Sequence, residues 1–203
     1  MISAVVLAAG NGERTGKPKL FLPWRGKAVL QWVLENVLAS TVNEVICVVG
    51  DLTAVLAHIS LRDERLSWLV NDQTERGQSS SIIAGLWAVD TRAEGALFVA
   101  GDLPLLDSAL IDALIERAKI VSAPIIAPSF EGETRNPALY RRELFPELLK
   151  LKGDRGAESV IRKSRGRVEW VHWKEESTFL DIDDQQESAR LKLLGNARSF
   201  RRA

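Results

Sequence analysis

Three sets of residues in this chain have the types and spacing for phosphate chemistry. Gly10, Gly12 and Gly16 follow directly on an apolar run at residues 2–8 and are interleaved with Arg14, Lys17 and Lys19. Glycines let a loop turn its N–H groups inward with no Cβ in the way, and the basic side chains add positive charge, so such a loop suits a polyphosphate. Carboxylates stand where apolar runs end: Asp102 in Gly101-Asp102-Leu103-Pro104, then Asp181, Asp183 and Asp184 near the carboxyl terminus. Magnesium takes one or two such hard ligands and fills the rest of its shell with water and phosphate oxygens. Asn71 leads toward Ser79, Ser80 and Ser81, in the first turn of an expected helix whose backbone donors and hydroxyls suit an anion. Each set also has a plainer reading, as a glycine turn, a turn-capping aspartate, or N-caps by serine and by Asp183 or Asp184.

Spacing removes two better-known phosphate loops. A P-loop needs Gly, four residues, then Gly-Lys-Ser/Thr, but Asn11 stands five before Gly16 and Pro18 follows Lys17. The dinucleotide fingerprint needs its third glycine where Thr15 stands. A zinc site is not expected, because His58 and His172 have no cysteine or second histidine at ligand spacing; both read as structural. Cys47, the only cysteine, lies in an apolar run and reads as a buried, inert thiol.

The elements that must position these residues alternate. Strands are expected at residues 2–8, 44–49, 66–70, 96–100 and 124–127, with helices at 28–38, 53–59, 78–89 and 108–120, the last capped by Asp107 or Ser108. That rhythm implies βαβ units, a mostly parallel sheet and helices on both faces, an α/β Rossmann-like three-layer fold. In such sheets ligands bind beyond the carboxyl ends of strands, which favours residues just after a strand. From residue 128 the pattern shifts to a turn at 131–133, strands at 137–140, 167–173 and 178–182, and helices at 143–149, 157–163 and 184–194, before a basic tail at 196–203. In the last strand, alternation would put Asp181 and Asp183 on one side with Ile182 turned to the core.

One domain is expected from 203 residues, with 1–127 as the nucleotide-binding part, 128–195 completing the acceptor and metal site, and 196–203 as tail. The 27 basic and 27 acidic residues balance, so bulk charge gives no support for a nucleic-acid partner. No signal peptide and no membrane span is apparent, and a reducing cytoplasm is the expected setting.

The pattern Leu7-Ala8-Ala9-Gly10-x-Gly12-x-Arg14-x-Gly16-x-Pro18-Lys19-Leu20 resembles the signature of nucleotidyltransferases. With Gly77-Gln78-Ser79-Ser80-Ser81, Gly101-Asp102-Leu103-Pro104-Leu105, Asn136-Pro137-Ala138-Leu139, Gly153-Asp154-Arg155-Gly156-Ala157 and Leu180-Asp181-Ile182-Asp183, in that order, the chain is similar to the molybdenum-cofactor nucleotidyltransferases, closest to the cytidylyltransferase branch. That resemblance implies a nucleotidyltransferase fold of the GT-A-like kind and magnesium-dependent transfer of a nucleoside monophosphate, CMP from CTP, to the phosphate of molybdopterin, with pyrophosphate released. A molybdoenzyme would receive the product. It implies that Leu7, Ala8, Ala9, Gly10, Asn11, Gly12, Arg14 and Lys19 hold the triphosphate with Asn71, Ser80, Ser81 and Asp102. Arg14, Lys19 and Asp102 would be catalytic, Asp102 and Asp183 would bind the metal with Asp181 in reserve, and Arg135, Asn136 and Pro137 would face the acceptor. The cytidylyl preference rests on Ala8-Ala9-Gly10 and Pro18-Lys19, where guanylyl relatives tend to have Ala-Gly-Gly and Asp-Lys. This chain departs from the branch at Thr15, Gln78, Arg135 and Glu158, which keeps a sugar or polyol phosphate open as the acceptor. A nucleotide- or cofactor-binding accessory protein without turnover is the reading from another class.

Overall fold

The first strand sets the frame. In the structure, a computed structural model that describes residues 1–10 and 19–181, β1 (Ile2–Ala8) is buried along nearly all its length, as its unbroken apolar run demands. It lies between β4 (Glu44–Val49) and β6 (Gly95–Ala100), parallel to both. Between β1 and β4 the chain makes a small hairpin, β2 (Pro23–Trp24) and β3 (Lys27–Ala28), turned at Arg25 and Gly26, and then α1 (Val29–Leu38). Helix α2 (Leu52–His58) starts on Asp51, whose carboxylate accepts from the N–H groups of Thr53 and Ala54, and leads to β5 (Leu66–Val70). Next come α3 (Gln78–Ala88), β6, and α4 (Ser108–Ile120), which Asp107 caps by accepting from Ala109 N–H.

Beyond α4 the sheet continues with β7 (Ile125–Phe130), β8 (Glu133–Thr134) and β9 (Ala138–Arg141), then α5 (Phe145–Leu148), α6 (Glu158–Lys163) and β10 (Val168–His172). The order across the eight-stranded sheet is β10-β7-β9-β6-β1-β4-β5, with β8 on β7. Strand β9 is antiparallel to both β6 and β7; the other long strands run one way. Strand β7 runs past the expected 124–127, to Phe130. Pro128 falls between the stretch paired with β9 and the stretch paired with β8, where its missing N–H costs no ladder bond.

Two apolar layers hold the sheet. On one face Leu30, Leu34, Leu110, Ile111 and Leu114 of α1 and α4 cover β1, β4 and β6; on the other Ile82 and Leu86 of α3 with Val160 and Ile161 of α6 do the same. Each fully buried aliphatic side chain is worth about 1.5–3 kcal/mol of transfer energy. Cys47 is fully buried, and burial pushes its thiol far above the ordinary range.

Over its described residues, 178–181, the strand expected at 178–182 does not form. Residues Glu176–Phe179 make a short 3-10 turn. Thr178 is completely buried and accepts a hydrogen bond from Trp173 Nε1 (3.1 Å), while the Phe179 ring packs near that of Phe130 and Leu180 joins a cluster with Trp24 and Leu105. Tertiary contacts override the β preference of Thr-Phe-Leu. Asp181 therefore does not lie in a strand; Ile182 and Asp183, whose alternation with it is expected, and the helix expected at 184–194 lie outside the described residues.

Candidate active site

Running six strands one way brings their carboxyl ends to a single edge, and β9, running backward, brings its amino end there. Seven strands at about 4.8 Å spacing make a ledge roughly 29 Å long. In order along it stand His172 of β10, Ser129 of β7, Asn136-Pro137 before β9, Asp102 after β6, Ala9-Gly10 after β1, Gly50 after β4 and Asn71 after β5.

At the centre, the Gly101 N–H donates to the Leu7 carbonyl (3.0 Å). A Cβ at position 101 would lie 2.9 Å from that same oxygen, so only glycine allows the turn to sit this close to the end of β1. Asp102 is thereby fixed beside the start of the glycine loop. Ala9 is buried and Gly10 exposed; Asn11, Gly12 and Arg14 lie outside the described residues.

Lys19 re-enters in a short 3-10 turn, Lys19–Phe21, anchored by buried Leu20 and by Phe21, whose ring stacks on His58 at 4.8 Å. From there its Nζ reaches Asp102 Oδ2 at 2.6 Å, with the two side chains 29% and 18% exposed. The cation and the carboxylate predicted separately from sequence thus meet. Both remain accessible enough to exchange this pairing for a charged ligand.

At the β5 end Asn71, nearly buried, donates from Nδ2 to Ser80 Oγ (2.9 Å) and Ser81 Oγ (3.0 Å) and accepts from Gln73 N–H (3.0 Å). Asn71 and two of the serines that begin α3, singled out together from the sequence, are thus hydrogen-bonded to one another. The helix end is less open than expected, however. Ser79 N–H donates to the Gly153 carbonyl and Ser80 N–H to that of Gly77, both at 3.1 Å.

That capping comes from a segment, Gly153-Asp154-Arg155-Gly156, whose place in the pattern does not reveal where it docks. The loop 152–156 docks on the start of α3, and Gly77, at φ 83° and ψ −178°, makes room for it. A Cβ there would come within 2.5 Å of Gly153 C and of Asp154 Oδ1. The glycines flanking Asp154-Arg155 were the available signal, but nothing local tells which surface such a loop will meet.

In the segment expected to face the acceptor, Asn136 Oδ1 accepts from Ala100 N–H (3.0 Å), tying residues 135–137 to the strand end from which Asp102 springs. Its bond to buried Pro137 is cis. Arg135 is exposed, with its backbone N–H on the Pro128 carbonyl (3.0 Å). Half-buried Asp181 follows Leu180, whose packing with Leu105 brings the chain toward the 101–105 turn. Asp183 is outside the described residues. Among the described residues no group of three or more His, Cys, Asp or Glu could by itself hold a metal, and no helix is long and apolar enough to cross a membrane. The surface hollows lined by Leu61, Arg62 and Trp68 and by Thr91, Arg92 and Arg142 open on the opposite edge and contain none of the predicted site residues.

Residues 4–168 match the family model described as the MobA-like NTP transferase domain. Over 198 residues the chain is 30% identical to the nicotine blue oxidoreductase of Paenarthrobacter nicotinovorans, covering 94% of this chain and 96% of that protein. It is 33% identical over 168 residues to a probable molybdenum cofactor guanylyltransferase of Methanosarcina mazei, 78% of this chain and 71% of that one. Among solved structures, a manganese complex of Rv0371C from Mycobacterium tuberculosis superposes with a TM-score of 0.79 at 25% identity, covering 95% of this chain and 98% of the other.

Proposed function

The chain belongs to the MobA-like NTP transferase domain family and is a nucleotidyltransferase; we propose that it transfers CMP from CTP to the phosphate of a pterin-type acceptor, the molybdenum cofactor, with magnesium as the metal. The single observation that carries this reading is the Lys19–Asp102 pair set between the glycine turn and Asn136.

An acceptor phosphate is already a competent nucleophile at neutral pH, so the protein needs no general base. It has to align the attack on the α-phosphorus and offset the charge that gathers there. Lys19 offers a mobile cation to the triphosphate, the backbone around Gly10 offers donors, and Arg14 adds a second cation. Asn71, Ser80 and Ser81 form a polar patch for the base and ribose. A divalent ion would neutralise the triphosphate oxygens, and Asp102 would hold it, with Asp183 as second ligand or Asp181 in its place. The donor set suits magnesium: one or two hard carboxylates at a solvent-facing edge, with phosphate oxygens completing the shell.

Pyrophosphate release assayed with each of the four triphosphates, magnesium and a panel of phosphorylated acceptors tests this. Release with CTP and a molybdopterin acceptor is the expected result. Preference for GTP would agree with the name of the Methanosarcina relative and overturn the cytidylyl assignment. Turnover with sugar or polyol phosphates alone would move the acceptor assignment. Triphosphate binding without release under any condition would favour an accessory role, or the redox chemistry that the Paenarthrobacter relative's name raises.

A further inference from the structure

The far end of the ledge carries a pair that the reaction as described leaves unused. Strands β7 and β10 pair in parallel with His172 opposite Ser129. The Ser129 hydroxyl lies 2.7 Å from His172 Nδ1. Ser129 is only 5% exposed, its carbonyl accepts from Trp173 N–H (2.9 Å), and on its other side it pairs with Thr134, so the hydroxyl sits in a fixed frame. His172 itself is exposed, and its Nε2 has no partner among the described residues. A serine hydroxyl can donate or accept, so it suits either tautomer of the ring; in both, Nε2 is left to a partner from outside. His58 differs. Its Nδ1 is on the Ala54 carbonyl and its ring stacks on Phe21, which satisfies the structural reading that the sequence suggests for both histidines.

We propose that His172 is a specificity residue for the acceptor: its Nε2, oriented by buried Ser129, hydrogen-bonds a heteroatom at the end of the acceptor remote from the reacting phosphate. This rests on the nucleotidyltransferase reading, which puts that phosphate near Asp102. The sheet then acts as a ruler. Three strand spacings, β6 to β9 to β7 to β10, separate the strand that leads to Asp102 from the strand that carries His172, or about 14 Å across the sheet. A four- or five-carbon polyol phosphate, with bonds of about 1.5 Å, ends well short of that span. The phosphate ester of a fused-ring heterocycle reaches it and carries ring N–H and carbonyl groups at its far edge, which an imidazole can meet with either tautomer. The spacing therefore favours an acceptor longer than a short polyol phosphate.

Equilibrium binding of molybdopterin to the full chain, followed by tryptophan fluorescence beside CTP with magnesium, tests the assignment without requiring turnover. His172→Ala should weaken molybdopterin binding about tenfold, the loss of one hydrogen bond, and His172→Gln should recover part of it. Ser129→Ala should weaken it by a smaller factor, because the ring stays but loses its orientation. CTP affinity and thermal midpoints should not change in either His172 variant. Equal molybdopterin affinity in wild type and His172→Ala, or wild-type protein that fails to bind molybdopterin, would overturn the inference. Pyrophosphate release separates the two ideas: His172-dependent binding with no release would sink the transfer reading and leave this subsite standing, while release with His172-independent binding would do the reverse.

Discussion

The part of the ledge proposed for the nucleotide, β5-β4-β1-β6, and the part proposed for the acceptor, β9-β7-β10, are built by different rules. On the first side every strand runs the same way, so each site residue follows its strand in sequence: Gly10 after β1, Asn71 after β5, Asp102 after β6. On the second side β9 runs backward, so Asn136 and Pro137 come before their strand, while Ser129 and His172 lie within theirs. Searching just past strand ends therefore finds the first set and misses much of the second. The two sides meet at β6, where Asn136 is bonded to Ala100 and Lys19 to Asp102, and again where the 152–156 loop docks on α3.

Substitutions can break this division, and the largest effect is expected at the junction. Asp102→Asn should lower kcat on the order of 10² to 10³-fold, the scale of losing one preorganised electrostatic group, while thermal melts stay near wild type. A loss confined to the acceptor KM would show that Asp102 serves only one side. Lys19→Ala should lower kcat/KM for the triphosphate by roughly 1.5–3 kcal/mol, about ten- to a hundredfold, and leave acceptor affinity alone. An equal change in both affinities would erase the line between the sides.

Gly77→Ala tests the second seam. Its backbone conformation is close to glycine-only and a Cβ would meet Gly153, so the variant should lose about 1–3 kcal/mol of stability and displace the 152–156 loop. Denaturant melts and both substrate KM values report it; a stable variant with only the triphosphate KM changed would argue against coupling through this loop.

The smallest effect belongs to the opposite edge of the sheet. Hydrogen bonds from the Arg92 side chain and backbone hold the Asp90 carboxyl at about 2 against an ordinary 3.8. Because the folded value lies below the unfolded one, the stabilisation is complete above the ordinary value and fades as pH falls toward the lowered one. Arg92→Ala should flatten the acid limb of the melting profile between roughly pH 4 and 2 and leave kcat unchanged. An effect on turnover would mean that this edge communicates with the ledge.

Much of the fold is legible along the chain. The strands at 44–49 and 66–70 and the helix at 108–120 match expectation to the residue, because long apolar runs, helical spacing and an aspartate cap are local signals. The glycine turn and the Asp102 turn are legible for the same reason, since each directly follows its strand. Residues 178–181 show the limit: Thr-Phe-Leu favours a strand, yet Thr178 is held by nearby Trp173 while Phe179 and Leu180 take distant partners in Phe130 and the Trp24 cluster.

By itself, then, the sequence determined the alternating elements, the two apolar faces and the residues at the ends of parallel strands, since periodicity and turn chemistry act between near neighbours. Only the tertiary structure decided that Lys19 meets Asp102, that Asn136 closes on Ala100, that the 152–156 loop caps α3 and that Ser129 orients His172. These contacts depend on strand order and on the reversed direction of β9, which are settled by how whole layers bury their apolar faces together and which no local pattern encodes.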